Sequence, residues 1–441
     1  MGIKVAKFGG SSVADGIQLN KTKEIIEADA DRKYIVVSAP GKRYDGDSKI
    51  TDILYLCKTH IEHNLPYDQL FQVVADRYMA VEFNLGVNAG LLEHFEKIKK
   101  DLADNPSEDY IASRGEYLNA ILVAAFLGYD FVDTKDLIKF DSKGRLKMDE
   151  TDAALKEELA KHERAVLPGF YGSTPDGKIK TFSRGGSDIT GALVARAVSA
   201  DVYENWTDVS GFLMADPRIV DNPKQIREIS YKELRELSYM GASVLHEDAI
   251  FPARQANIPI NIRNTNIPED PGTFITAEVS EKYENDPSRI ITGIAGNKDF
   301  TVVAIYKNMM SSERGFVRKI LDILDDFEIN FEHIPSGIDT VSVVMSNDAI
   351  NGRLDEILEE FKARLRPDSI DVFEDMALIA TVGHGMAYRQ GVSARLFEAM
   401  AKAGVNIRMI EQGSSEMNII VGVENRDFEK AIKAIYDAFV E

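Results

Sequence analysis

A chain of 441 residues, 44% hydrophobic and 28% charged, has material for two or three domains and the composition of an ordinary globular protein. Its formal charge of −20, from 52 Lys and Arg against 72 Asp and Glu, repels nucleic acid and anionic lipid, so neither is an expected partner. No apolar run reaches the length of a membrane span, no signal-peptide pattern opens the chain, and Cys57, alone in an apolar stretch, has no partner for a disulfide; the expected compartment is the cytoplasm.

Ile3–Phe8 reads as a strand, followed by the turn Gly9-Gly10-Ser11-Ser12 into a helix. A second buried strand covers Tyr34–Ser38, and the polar stretch Pro40–Lys49 reads as a surface excursion. Helical patterns dominate from Thr51 to about Leu127. Short strands at Phe131-Val132, Ala165–Leu167, Val202–Glu204 and Ile258–Ile260 then alternate with helices, which predicts an α/β fold with a largely parallel sheet. Apolar periodicity lapses at Ser280–Ser288, where a linker is expected. Beyond it the chain repeats at a fixed offset: Gly315-Phe316 matches Gly391-Val392, Ile320 matches Leu396, Ile329-Asn330 matches Val405-Asn406, and Val343-Val344 matches Ile419-Ile420. Each copy reads strand, helix, strand, strand, helix, with a final strand clear only in the first, Ile370–Phe373. Two copies suggest paired α+β modules sharing a sheet.

An acidic protein that binds anions must build local positive fields from isolated cations and backbone N–H groups, so cations beside glycines carry the information. Lys7-Phe-Gly-Gly-Ser-Ser12 ends a strand in a turn whose amides can approach an anion, with Lys7 where the strand emerges. Taken alone it reads equally as an ordinary tight turn. Ser183-Arg-Gly-Gly-Ser-Asp188 repeats the arrangement ahead of a helix at Ile189–Ser199; Arg184 adds a fork suited to a carboxylate, and Asp188 reads either as functional or as a helix cap. Two such turns suit two anions. Thr207-Asp208, after a strand, and Asp216-Pro217-Arg218, closing the same loop, suit nucleotide contacts or plain turn chemistry. Glu116 reads on spacing alone as a solvated helix charge. The histidines show no metal-ligand spacing, so no dedicated metal site is expected, and the P-loop signature is absent.

Together K-F-G-G-S-S-V from Lys7, S-R-G-E from Ser113, S-R-G-G-S-D from Ser183, T-D-V-S-G-F from Thr207 and D-P-R from Asp216 resemble the aspartokinases. T-V-G-H-G-M from Thr381 and Q-G-S-S-E-M from Gln412 resemble that family's tandem ACT regulatory domains. The resemblance covers essentially the whole chain, in order. It implies an amino-acid-kinase fold, a mostly parallel central sheet with helices on both faces, over 1–285, then ferredoxin-like α+β ACT domains at 286–375 and 376–441. No homoserine dehydrogenase extension follows, so a monofunctional enzyme is expected. The implied activity is Mg²⁺-dependent transfer of phosphate from ATP to the side-chain carboxylate of L-aspartate, the first step of lysine, threonine and methionine biosynthesis. Lys7 then contacts the phosphates, Gly9, Gly10 and Ser11 form the cradle, and Asp188 orients the reacting groups. Ser38, Thr51, Glu116, Phe170, Arg184 and Ser187 line the aspartate pocket, and Thr207, Asp208, Asp216 and Arg218 hold the nucleotide.

The ACT domains imply an amino-acid effector, with lysine favoured over threonine, and a homodimer or higher even oligomer. Met310, Phe316, Glu332 and Asp339 are the expected effector residues. Another acyl-phosphate-forming kinase, such as one for glutamate, and a non-catalytic sensor are the competing readings. Two departures from the family pattern stand out. Ser243 occupies a position where relatives often carry a phosphate-contacting lysine, and Leu213 stands where some carry a tyrosine. Lys49, in the cationic Pro40–Lys49 segment, is the first candidate to compensate for the missing lysine.

Overall fold

The computed structural model describes residues 2–440 except Arg184, 243–246, Asn285, Pro287 and Ser288. Two compact units divide the chain out of sequence order. The first comprises Met1–Phe212, Gln225–Lys232 and Val244–Ser280; the second comprises Leu213–Lys224, Glu233–Ser243 and Glu281–Glu441.

In the first unit an eight-stranded sheet is built from β1 (Lys4–Phe8), β2 (Arg32–Val37), β3 (Asp130–Phe131), β4 (Ala165–Pro168), β7 (Val202–Thr207), β8 (Glu228–Ser230), β9 (Ile260–Asn264) and β10 (Thr273–Thr276), while β5 (Tyr171–Ser173) and β6 (Ile179–Thr181) form a separate hairpin. The order is β3-β4-β2-β1-β7-β9-β10-β8, parallel at every pair except β9–β10. Val5, Ala6 and Phe8 are fully buried, as the apolar residues of a central strand in a covered parallel sheet should be. The covering helices are α1 (Gly16–Glu27), α2 (Ile50–Glu62), α3 (Asp68–Leu85), α4 (Leu91–Ala103), α5 (Glu108–Leu127), α6 (Met148–Leu159), α7 (Gly186–Ala197) and α9 (Glu247–Gln255); α8 (Tyr231–Tyr239) starts in this unit and ends in the other.

Helix α5 starts where Ser107 accepts from the Tyr110 amide at 3.2 Å, with Glu108 and Asp109 in its first turn, and stops at Gly128 in the left-handed region. Its run from Ile111 to Ala124 is buried all round, so it is a core helix rather than an amphipathic cover. Cys57 is fully buried in the same core, and burial pushes its thiol up to about 11. No described helix is long and apolar enough to cross a membrane.

The second unit is organised by two long antiparallel strands, β11 (Gly293–Tyr306) and β13 (Ser369–Val382), in a sheet of order β12-β11-β13-β15-β14 with β12 (Thr340–Ser346), β14 (Met409–Glu411) and β15 (Asn418–Glu424). Midway along, Asp299 and Asp375 adopt left-handed backbone, φ 68° and 56°, and the β11–β13 register shifts between Asn297 and Phe300. Each long strand therefore serves two modules. One module joins β12 to Phe300–Tyr306 of β11 and the first half of β13, with α11 (Phe316–Asp326) and α13 (Leu354–Leu365) over it and the short α12 (Asn347–Ile350) adding Ile350 to the same core; the short α10 (Glu281–Glu284) precedes both modules. The other joins Gly293–Asn297 of β11 to Leu378–Val382 of β13, then to β15 and β14, under α14 (Val392–Lys402) and α15 (Phe428–Val440).

The repeat in the sequence corresponds to these modules: Ile320 of α11 and Leu396 of α14 are both fully buried at equivalent points. The final strand that the second copy lacks in sequence comes from the start of β11, ahead of the first copy. The first module is thus an insertion in the second, and β13 runs unbroken across the expected boundary at 375/376.

Candidate active site

The carboxyl ends of β1, β2, β4 and β7 converge in the first unit, where ligands gather in parallel α/β sheets. Lys7 near the end of β1 is buried, and its Nζ lies 2.6 Å from Oδ1 of Asp188. Asp188 is in the first turn of α7, and the cap reading is corrected here. Gly185, left-handed at φ 57°, is the N-cap with no side-chain cap bond, and the Asp188 carboxylate turns instead to the sheet. Asn205 Nδ2 donates to the same Oδ1 at 2.9 Å, and the Tyr203 hydroxyl donates to the Asp188 carbonyl at 3.0 Å. Gly191 allows this close packing, since a Cβ there would lie 2.5 Å from the Tyr203 hydroxyl.

The first glycine–serine turn differs from the expected helix start. Gly10–Val13 forms a 3-10 turn, and α1 begins later, capped by Asp15, whose carboxylate accepts from the Gln18 amide at 2.9 Å. The Gly9 amide donates to the Trp206 carbonyl at 3.0 Å, and the Gly41 amide donates to the Gly10 carbonyl at 2.8 Å. A Cβ on Gly41 would lie 2.7 Å from the Gly10 carbonyl carbon, so only two glycines let these backbones approach. Ser12 Oγ is 2.7 Å from Thr265 Oγ1, both side chains buried.

Around the second turn, Gly169 packs where a Cβ would meet Ser187 at 2.6 Å, and Phe170 holds φ 82°. That region is strained for a phenylalanine. The Phe170 amide donates to Thr190 Oγ1 at 3.1 Å, its carbonyl accepts from Phe182, and Thr190 donates back to Gly186 at 2.9 Å. Ser187 is buried, whereas Ser38 and Thr51 are half-buried, at the end of β2 and in the first turn of α2. Arg184 lies outside the described residues.

Glu116 is not the solvated charge that its spacing suggested. It is buried in α5, and burial pushes its carboxyl up to about 7, opposed by hydrogen bonding from the Ala39 amide and by the charges of Arg114 and Lys7. Its Oε2 has no hydrogen-bond partner among the described residues. Next to it, Gly115 faces Ala39, with 2.8 Å to the alanine Cβ from a methyl built there.

Thr207 Oγ1 donates to Asp208 at 3.2 Å, and Thr207 is half-buried with Asp208 exposed. Asp216 and Arg218 fall in the second unit, where they pair with one another at 2.5 Å; hydrogen bonds from Arg218 hold the Asp216 carboxyl below the usual range. In the same unit Met310 and Phe316 are buried in the core of the first module. Glu332 accepts from the Tyr239 hydroxyl at 2.5 Å, and Asp339 is exposed. Ser243 lies outside the described residues.

Arg77 and Asn119 carry no sequence motif, yet both face this region. The buried Arg77 guanidinium donates to the carbonyls of Ser48 (2.8 Å), Gly41 and Ala14, and sits 3.6 Å from Asp47. Arg43 makes a two-pronged pair with Asp47 at 2.8 and 2.9 Å, holding that carboxyl far below the usual range. The Pro40–Lys49 excursion is therefore pinned at both ends, with Lys42 and Lys49 exposed. Asn119, one turn beyond Glu116, donates to the Ser38 carbonyl at 2.7 Å. A buried arginine bonded to carbonyls has no short-range signature; only the fold reveals it.

A parallel sheet with a lysine–aspartate pair between glycine-tight turns at its carboxyl edge defines an amino acid kinase, and the profile of the amino acid kinase family matches residues 2–264. An ACT domain profile matches residues 379–439, the second module. Aspartokinase 3 of Bacillus subtilis is 37% identical, with 99% of this chain and 98% of that protein aligned. The crystal structure of Clostridium acetobutylicum aspartate kinase superimposes with a TM-score of 0.92 at 53% identity over the whole of both chains. Escherichia coli aspartokinase III, solved with aspartate and ADP, gives 0.73 at 26% identity, again over both whole chains. The chain belongs to the aspartokinase family.

Proposed function

We propose that the chain transfers the γ-phosphoryl group of ATP to the side-chain carboxylate of L-aspartate, giving ADP and 4-phospho-L-aspartate. The observation that carries this is the buried Lys7–Asp188 pair, 2.6 Å long, between two turns that only glycine backbones can form. The complex of the Escherichia coli relative with aspartate and ADP supports the choice of substrates.

The nucleophile needs no general base, because an aspartate side chain with a pKa of about 3.9 is already ionised at neutral pH. The task is to bring two anions together in line and to neutralise the charge that develops. Lys7 supplies the positive charge and Asp188 sets its direction. The Gly9 amide is committed to Trp206, which leaves Gly10 and Ser11, at the open start of the 3-10 turn, as the cradle for phosphate oxygens. Glu116, ionised when it meets the substrate ammonium, joins Ser38, Thr51, Phe170, Arg184 and Ser187 in the aspartate pocket. Thr207 and Asp208, after β7, hold the nucleotide. Mg²⁺ would be held largely by the phosphates of the nucleotide and by water. When bound, it neutralises the phosphate oxygens.

The second unit is read as two interleaved ACT modules, drawn at 286–375 and 376–441 by the repeat. They sense an amino acid, with lysine favoured, and pair between subunits in a homodimer or higher even oligomer. Glu332 and Asp339 supply carboxylates for a cationic effector beside Met310 and Phe316. The Escherichia coli relative solved with lysine and aspartate supports the effector. The enzyme works in the cytoplasm. ADP release with aspartate against glutamate as acceptor, with and without lysine, tests the whole reading. Aspartate-dependent turnover lowered by lysine is expected; turnover with glutamate alone, or none, overturns the assignment.

A further inference from the structure

On the face of β7 that looks toward α7, two successive side chains, Tyr203 and Asn205, bond to the same residue. Lys7 and Asn205 are register partners on the adjacent parallel strands β1 and β7, so strand pairing alone sets their side chains on the same face. Both reach the same oxygen: Oδ1 of Asp188 accepts from Lys7 at 2.6 Å and from Asn205 at 2.9 Å. Two residues back on that face, Tyr203 donates to the Asp188 carbonyl at 3.0 Å. Glu204 and Trp206, on the opposite face, belong to a separate buried network, in which Arg32 donates to Glu204 at 2.6 Å and Trp206 Nε1 donates to it at 2.9 Å. Asparagine is disfavoured inside strands, and packing alone would put an apolar residue at this central, almost fully buried position. A buried amide persists there only where its hydrogen bond is worth having.

We propose that Asn205 is a positioning residue that holds Asp188 in its working orientation while Lys7 engages phosphate. The inference rests on the roles given above to Lys7 and Asp188. Lys7 is a cation shared between Asp188 and any phosphate oxygen that arrives, so its hold on Asp188 weakens at the moment of transfer. The amide of Asn205 is neutral and feels no comparable pull. It keeps its bond to Oδ1 and adds no second charge that would compete with Lys7 for the phosphates.

The test is steady-state kinetics of Asn205→Asp, Asn205→Ser and Asn205→Ala in the full-length chain, with thermal unfolding measured in parallel. Asn205→Asp keeps the shape but sets one carboxylate against another. It should lower kcat by about ten- to a hundredfold at neutral pH, the effect of losing a hydrogen bond to a charged group, with the KM for aspartate unchanged. Activity should return in part as pH falls, when the two carboxylates beside Lys7 come to share a proton. A purely structural asparagine would give no such acid recovery. Wild-type kcat, or a loss independent of pH, overturns the proposal. If Asn205→Asp does not fold, Asn205→Ser, which keeps a hydroxyl donor, should exceed Asn205→Ala in kcat at equal KM, and equal turnover of the two overturns it. Asp188→Asn, assayed alongside, separates the levels. Wild-type turnover there removes the role of Asp188 itself, whereas an inactive Asp188→Asn with an unaffected Asn205→Asp removes only the role of Asn205.

Discussion

The two glycine–serine turns of the first unit meet the same need by different physical means. At Gly9–Ser12 the backbone is ordinary, and the constraint is space: the Gly10 and Gly41 backbones touch, and a methyl on Gly41 would stand 2.7 Å from the carbonyl carbon of Gly10. At Gly185–Asp188 the constraint is conformation: Gly185 is left-handed at φ 57°, and the adjoining Phe170 is held at φ 82° by bonds through Thr190 and Phe182. The first turn only excludes side chains, whereas the second excludes them too, with a Cβ on Gly186 falling 2.5 Å from Phe170, and demands unusual dihedrals besides. Only the first is tied to an excursion, which Arg77 clamps through the Gly41 and Ser48 carbonyls.

The largest effect falls where the turns meet. Lys7→Ala should cut kcat by roughly a hundredfold or more, as losing one preorganised charge contact does, and unchanged turnover in a folded variant removes the shared site. The contrast itself is tested by Gly41→Ala against Gly185→Ala. The first forces two backbones apart, at a cost of about 1–3 kcal/mol, with a fall in activity of about tenfold as the cradle shifts. The second costs about 1–2 kcal/mol of left-handed strain. Denaturant unfolding with kinetics decides between them; equal activity losses would mean that the turns are not constrained differently.

Glu116 sharpens the comparison through pH. Its folded carboxyl titrates at about 7, above its ordinary value, because burial disfavours the charge. The native state therefore holds this proton more tightly than the unfolded chain. The stability it brings is complete below the ordinary carboxylate range and is lost as pH rises through about 7. Glu116→Gln should accordingly be more stable than the parent above that pH, by up to roughly 3 kcal/mol. If Glu116 binds the substrate ammonium, the parent's KM for aspartate climbs as pH falls below about 7, while that of Glu116→Gln is higher and flat. A flat parent profile removes the ammonium contact. The smallest effect is expected at Lys49, exposed at the N-cap of α2: Lys49→Ala should raise the KM for ATP by a few-fold, about the weight of one exposed charge contact.

How much of this was legible depended on range along the chain. Lys7 and the glycines beside it stand in one short string, and both turns were visible because a strand end, a glycine pair and a hydroxyl are neighbours in sequence. Asp188 was ambiguous between cap and site because both readings use the first turn of a helix; the left-handed Gly185 took the cap and freed the carboxylate. Glu116 was misread because helical spacing cannot tell a solvated charge from one on a helix buried on every side.

The sequence alone determined the alternation that makes a parallel sheet, the cation-and-glycine strings at its edge and the repeated regulatory modules, since each depends on residues a few positions apart. Tertiary structure decided the rest. It put Asn205 level with Lys7 through strand register, set Arg77 under a distant loop, and completed the second module with a strand lying before the first. Such pairings join residues far apart in the chain, and hydrogen-bond register and packing, which local pattern does not encode, choose among them.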